Sequence, residues 1–316
     1  MKTSRVRILV ATAILAMAAV PSLADTRIEK ALDLSPGGKF VLDSEGGTVK
    51  VTGTSGSGAR IVITSKRDDL ESLATFTFEG GSEMARVTMK RIKTGGWNRG
   101  LSLAYEIEVP SATQLDIRTS GGSISTVETR GEAKLRTSGG SIKVSDLEGP
   151  LNASTSGGSI TLSDIVGNAK ISTSGGSIRG SRVDGRLDAG TSGGSISLEG
   201  VTGDLEAQTS GGSIRIADAG GVVNASTSGG SLTVAFAPGN QAGGSLQTSG
   251  GGIRVKVDET ANLDLDAYCS GGSVKTDMPV TVVGSLSKNT LKGSMGSGGA
   301  VLRLRTSGGS IRIEGM

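Results

Sequence analysis

One six-residue phrase, Thr-Ser-Gly-Gly-Ser-Ile, constrains this chain more than any other feature. It appears in full at Thr119–Ile124, and its threonine returns at Thr137, Thr155, Thr173, Thr191, Thr209 and Thr227, always eighteen residues on. The spacing then widens to twenty-one residues. Thr248 opens Thr-Ser-Gly-Gly-Gly-Ile, Cys269 stands in the threonine's place in Cys-Ser-Gly-Gly-Ser-Val, and a last copy begins at Thr306. Self-similarity at a short fixed period is the mark of a solenoid. One such unit has too little apolar surface to offset the entropy of ordering its backbone, so the units must stack.

The unit Thr137–Ser154 shows the rung. Counting Thr137 as position one, apolar residues fall at six, eight, eleven, fifteen and seventeen: Ile142, Val144, Leu147, Leu151 and Ala153. Steps of two are those of a strand with alternating faces. The step of three from eight to eleven predicts a corner. A second corner is predicted at the glycine pair, where glycine can take positive φ, and a third bend at the glycine of position thirteen. The spacing predicts all-β structure with no helix after the N-terminal apolar stretch. Position one shares parity with fifteen and seventeen, so the threonines are predicted to point inward as a hydroxyl ladder bonding the glycine corner. The turn and ladder residues are then Thr137, Gly139 and Gly140, Thr155, Gly157 and Gly158, and Thr173, Gly175 and Gly176. Cys269 takes one step of that ladder as a small buried thiol.

Composition narrows the function. Glycine is abundant at 52 of 316 residues, but proline numbers 6 and no Gly-X-Y period exists, which excludes collagen. There is no histidine, hence none of the commonest general bases or metal ligands. The single cysteine excludes an internal disulfide and has no histidine to activate it as a nucleophile. No cofactor is implied. Lys2, Arg5 and Arg7 precede an apolar stretch from Ile8 to Val20, and Ser22-Leu23-Ala24 follows as a small-x-small cleavage site. These features predict a signal peptide over 1–24. Without its three cations the 33 Lys and Arg become 30, equal to the 30 Asp and Glu, so no global attraction to nucleic acid remains.

Residues 25–38 read as a linker or first irregular strand. Residues 39–118 read as an N-terminal β part, with strands at Lys39–Leu42, Ile61–Ile63, Thr75–Phe78, Val87–Met89 and Leu103–Val109. Ser44–Val51 (SEGGTVKV) is a degenerate copy of the phrase. Lys93–Gly100 is a polar loop holding Trp97. The regular solenoid spans 119–316, with an irregular excursion at 276–299 in which Met278–Val283 reads as a strand and Ser285–Gly299 as a glycine-rich loop. Val301–Arg305 is a further strand. No polar cap follows Ile311-Arg312-Ile313, so the last rung is predicted to offer an open edge.

The mixed-strand N-terminal third with its Glu106–Pro110 turn (EIEVP), the TSGGSI rungs, and the closing stretch Leu291–Ile313 (LKGSMGSGGAVLRLRTSGGSIRI) together resemble the bacterial putative-adhesin family of β-strand-repeat proteins, a domain family of unknown function. The resemblance covers residues 38–316. It implies a right-handed single-stranded β-helix (β-solenoid) and an exported protein, periplasmic, secreted or at the cell surface. It supplies no catalytic residues.

Function is expected on the outward columns. Position five is serine from Ser123 through Ser231, and position seven reads Ser125, Lys143, Thr161, Arg179, Ser197, Arg215, Thr233 and Arg254, continued by Lys275 and Arg312. A hydroxyl column beside a basic column suits an anionic polysaccharide or a cell-surface component. The candidate ligand-binding residues are Ser141, Lys143, Ser177, Arg179, Ser213, Arg215 and Arg254. The bland alternative is a solvated sheet face, favoured by the lack of aromatic residues for stacking on sugar rings. Position ten (Glu128, Asp146, Asp164, Asp218) is acidic, but the Gly-Gly-x-Gly-x-Asp calcium repeat is absent. The leading reading is a non-enzymatic exported adhesin or envelope scaffold, with no membrane span after signal cleavage. Two others are a structural protein stacking end to end through its terminal rung, and a polysaccharide lyase or hydrolase on a β-helix face.

Overall fold

The computed structural model describes residues 26–92, 101–282 and 287–316. The expected signal peptide, the Trp97 loop and part of the 276–299 excursion lie outside the described residues. Each regular rung is two strands on opposite sides of one core. Ile142–Glu148 belongs to one sheet, called A here, and Leu151–Thr155 to the other, B. Successive rungs pair in parallel with like residues in register: Ile142 lies beside Ile160, which lies beside Ile178. Among the described residues sheet A has 14 strands and sheet B has 15. The inward positions six, eight, eleven, fifteen and seventeen form one continuous aliphatic core, in which Ile142, Val144, Leu147, Leu151 and Ala153 are all buried. Stacking therefore does what a single rung cannot, giving most inward side chains an apolar neighbour above and below.

Position ten departs from the sequence reading. The strand does not turn a corner there but runs on from Ile142 to Glu148. Asp146 enters the left-handed region at φ 54°, as do Glu128, Asp164, Arg182, Gly200 and Asp218 at the same step. This one-residue bulge lets positions eight and eleven both point inward while position ten points out. Gly149 at position thirteen does turn the chain from sheet A to sheet B, at φ 144°.

The glycine pair also works differently from the expectation. Neither Gly139 nor Gly140 has positive φ. What excludes a side chain is the rung beneath: a Cβ on Gly140 would lie 2.1 Å from the Gly122 carbonyl oxygen, whereas one on Gly139 would have nothing nearer than 3.6 Å. The threonine ladder forms as its parity requires. Thr137 is buried, its hydroxyl donates to the Gly122 carbonyl of the previous rung at 2.8 Å, and it accepts from its own Gly140 N–H at 3.4 Å. Thr155 and Thr173 repeat the pattern on Gly140 and Gly158. Cys269 is fully buried at the equivalent step.

Rung order is not chain order at either end. The degenerate first rung, Lys39–Ser44 with Thr48–Thr54, lies between Met84–Arg91 with Leu103–Pro110 on one side and Gln114–Thr119 with Ile124–Arg130 on the other. At the other end Ala300–Thr306 inserts between Gly244–Thr248 and Leu263–Cys269, and Ile311–Gly315 inserts between Ile253–Val257 and Val274–Thr276. The predicted open edge of the C-terminal rung is thus corrected: that rung is internal. Antiparallel strands finish three of the four sheet ends: Ala59–Ser65 and Thr26–Leu32 on sheet A, Ala74–Glu79 on sheet B, and Thr290–Met295 with Thr281–Val282 at the far end of sheet B. Thr26–Leu32 is therefore a strand rather than a linker. One helical turn, Leu70–Leu73, also occurs where the sequence showed no helical period, because four residues are too few to display one.

Candidate binding face

The outward side of sheet A carries the two predicted columns side by side, because positions five and seven share a parity opposite to six and eight. Along position five, from Ser123 to Ser213, each serine hydroxyl accepts the backbone N–H of the next rung's serine. Ser141 N–H donates to Ser123 Oγ at 3.2 Å, Ser159 to Ser141 at 3.2 Å, Ser195 to Ser177 at 3.4 Å and Ser231 to Ser213 at 3.2 Å. This fixes the oxygen and engages one lone pair, leaving the hydroxyl proton to be donated outward. The column is therefore a row of donors, matched to acceptor-rich ligands.

Position seven lies one step further along each strand. Lys143, Arg179 and Arg215 are exposed and carry no ion pair or side-chain hydrogen bond among the described residues. Several cations elsewhere on the stack are paired, among them Arg182 with Asp164 at 2.5 Å, Lys170 with Asp188 at 2.8 Å and Arg130 with Glu148 at 3.3 Å. Arg254, also exposed, has a looser contact with Glu314 at 3.7 Å. The structure thus brings Ser141, Lys143, Ser177, Arg179, Ser213, Arg215 and Arg254 onto one face in register. One member of the column was not recognised from sequence, and another was placed out of order. Lys50 aligns beside Ser125, and its signal was its place as position seven of SEGGTVKV. Arg312 falls between Arg254 and Lys275 through the rung insertion, which chain order conceals.

The bulges produce a second feature. A groove of about 940 Å³ runs across the rungs between positions ten and twelve, lined by Asp146, Glu148, Asp164, Val166, Arg182 and Asp184 among others. The Arg182 guanidinium bonded to Asp164 holds that carboxyl below the usual carboxylate range. A general acid needs the opposite shift. Among the described residues no group of three or more Asp, Glu, Cys or His could hold a metal ion, and no helix is long and apolar enough to cross a membrane.

A two-sheet parallel solenoid with threonine and glycine ladders defines the class. The chain belongs to the Toastrack DUF4097 family, whose model matches residues 102–314, well over half of the 316. No curated protein matches. Solved structures that it resembles include a putative adhesin from Bacteroides fragilis (12% identity, TM-score 0.39, covering 93% of this chain and 98% of that one). A putative adhesin from Parabacteroides merdae (13%, TM-score 0.37, 92% and 95%) and a putative lipid binding protein from Parabacteroides distasonis (14%, TM-score 0.36, 92% and 96%) are similar to the same extent. At these scores the likenesses carry no argument, and family membership rests on the matched residues.

Proposed function

We propose that the chain is a non-enzymatic, exported, adhesin-like scaffold whose sheet A outer face binds anionic polysaccharide at cell surfaces. The observation that carries this reading is the in-register column of unpaired cations, Lys143, Arg179 and Arg215, beside a continuous row of serine donors. Carboxylate or sulfate groups would take charge-assisted bonds from the cations and further bonds from the serines. Rigid strands hold both columns, so little ordering cost accompanies binding.

A glycan-array screen of the chain from Asp25, at low and high salt, tests the proposal. Binding to acidic glycans that weakens with salt is expected, since the cations are exposed and screened. Replacing Lys143, Arg179 and Arg215 together by alanine removes roughly 1–3 kcal/mol, a loss of about five- to 150-fold. Unchanged affinity in that triple variant removes the column from the account. The self-stacking reading loses its structural basis, because the C-terminal rung on which it relied is covered on both sides.

A further inference from the structure

The cation column has a period of its own. Followed through the sheet rather than along the chain, position seven reads Lys50, Ser125, Lys143, Thr161, Arg179, Ser197, Arg215, Thr233, Arg254, Arg312, Lys275. A cation stands at every second rung from Lys50 to Lys275, with a hydroxyl at each rung between, except Arg312. That exception is neutralised, since Arg312 Nε lies 2.5 Å from Glu314 Oε1. With Arg254 counted, whose contact with the same Glu314 is looser at 3.7 Å, the remaining positive charges recur every two rungs, roughly 9.6 Å, over about 48 Å of sheet. Position five, in contrast, offers a serine donor at every rung from Ser123 to Ser231.

We infer that the ligand of this face is an extended linear polysaccharide carrying one anionic group per two sugar units. The inference rests on the reading of this face as the binding surface and names the class of polymer it takes. In an extended glycan one sugar ring advances by close to one rung spacing, so a disaccharide matches two rungs. The charged sugar meets a cation, its neutral neighbour meets Ser125, Thr161, Ser197 or Thr233, and every ring between the Ser123 and Ser231 rungs meets a serine. Other polyanions fit poorly. Acidic side chains on one face of an extended peptide recur at about 6.6–6.8 Å. Duplex DNA presents one charge per about 1.7 Å of axis. A glycan charged on every sugar leaves half its anions opposite neutral hydroxyls. The long Lys and Arg stems absorb small differences between the two periods.

The test shifts charge out of phase at constant net charge. In the quadruple variant Thr161→Lys, Arg179→Thr, Ser197→Lys, Arg215→Ser, two cations move by one rung. The probes are a polymer of alternating uronate and neutral amino sugar, and a homopolymeric polyuronate of equal length. The wild-type chain is expected to prefer the alternating polymer, and the variant to lose roughly tenfold affinity for it. Polyuronate affinity should stay within about twofold. Circular dichroism melting confirms folding, and the milder Thr161→Lys, Arg179→Thr variant, with a loss of about threefold, replaces the quadruple one if that melts early. Equal binding of both polymers, or a variant that keeps full affinity for the alternating one, overturns the period while leaving the binding face standing. Failure of the wild-type chain to bind either polymer defeats the binding face itself.

Discussion

Substituting alanine at Gly140 or at Gly139, adjacent residues of one corner, should give opposite results. A Cβ on Gly140 would lie 2.1 Å from the Gly122 oxygen, 2.2 Å from its carbonyl carbon and 2.4 Å from the Ser123 nitrogen, all backbone of the rung beneath. Reaching an ordinary contact of about 3.5 Å requires the rung to rise by roughly 1.4 Å at that corner. The bonds that close the corner run at 2.8 Å from Thr137 to Gly122, 2.9 Å from the Ile124 N–H to Ser141, and 3.2 Å from the Ser141 N–H to Ser123. Such a displacement stretches all three beyond hydrogen-bond range. Each contributes about 0.5–1.5 kcal/mol, and residual overpacking adds about 1–3 kcal/mol, so Gly140→Ala should cost about 2.5–7.5 kcal/mol. Gly139→Ala meets nothing nearer than 3.6 Å and requires no unusual φ. It should be neutral, or stabilise by about 0.4–1 kcal/mol through the unfolded state. Urea unfolding followed by circular dichroism separates the two. A Gly140→Ala midpoint close to wild type, or equal losses at both positions, would refute the close-approach account of the phrase.

Two further outcomes follow from buried polar groups. Burial pushes the Tyr105 phenol up to about 12, partly offset by its 2.8 Å hydrogen bond with Ser44. The folded chain thus holds that proton more tightly than the unfolded chain, whose tyrosines titrate near 10. Its contribution is intact below pH 10 and is lost as pH rises to 12, by about 2–3 kcal/mol, and the loss should be missing from Tyr105→Phe when the two are compared by urea unfolding across that window. Cys269→Thr should restore the missing ladder step toward the Gly309 carbonyl and raise stability by about 0.5–1.5 kcal/mol; a lower urea midpoint would show that the thiol packs better than the hydroxyl bonds.

The regular part of this fold was legible because its signals are local. Parity places Thr137, Ile142 and Val144 inside and Ser141 and Lys143 outside, and the structure agrees at each. The bulge at position ten was misread as a corner because a step of three fits both. The better clue was chemical, since Asp146 and Asp164 share their position with Gly200, and aspartate and glycine are the residues that most readily take positive φ. The glycine pair was read through conformational freedom, whereas the requirement is contact with another rung, which one rung's sequence cannot display. Rung order was the least legible feature. Every rung presents the same phrase, so its pairing surface fits any other rung equally well, and nothing local marks Thr306–Ile311 as the neighbour of Thr248–Ile253. The basic column was visible from Lys143 through Arg254 to Lys275 and Arg312, but its two-rung period over the whole sheet required Lys50 and the insertion of Arg312 before Lys275, both set by that order.

Identical rungs create a difficulty that the chain ends resolve. Any rung of this kind can extend any other, so a stack ending on a regular rung would offer a template to a second copy. Here the first and last copies of the phrase are each placed one rung inside the stack. The outermost strands are less regular. Thr26–Leu32 carries Arg27, Glu29 and Lys30, and Val274–Thr276 is three residues long and soon followed by Pro279. Charge, shortness and proline all oppose edge pairing. The same arrangement gives the regular face a fixed length. The cations from Lys50 to Lys275 occupy rungs that the insertions place at the two limits of the regular sheet, so a bound polymer would meet a site of definite extent. Stack termination and ligand length are then set by one structural choice, the placing of the first and last copies of the phrase inside the stack.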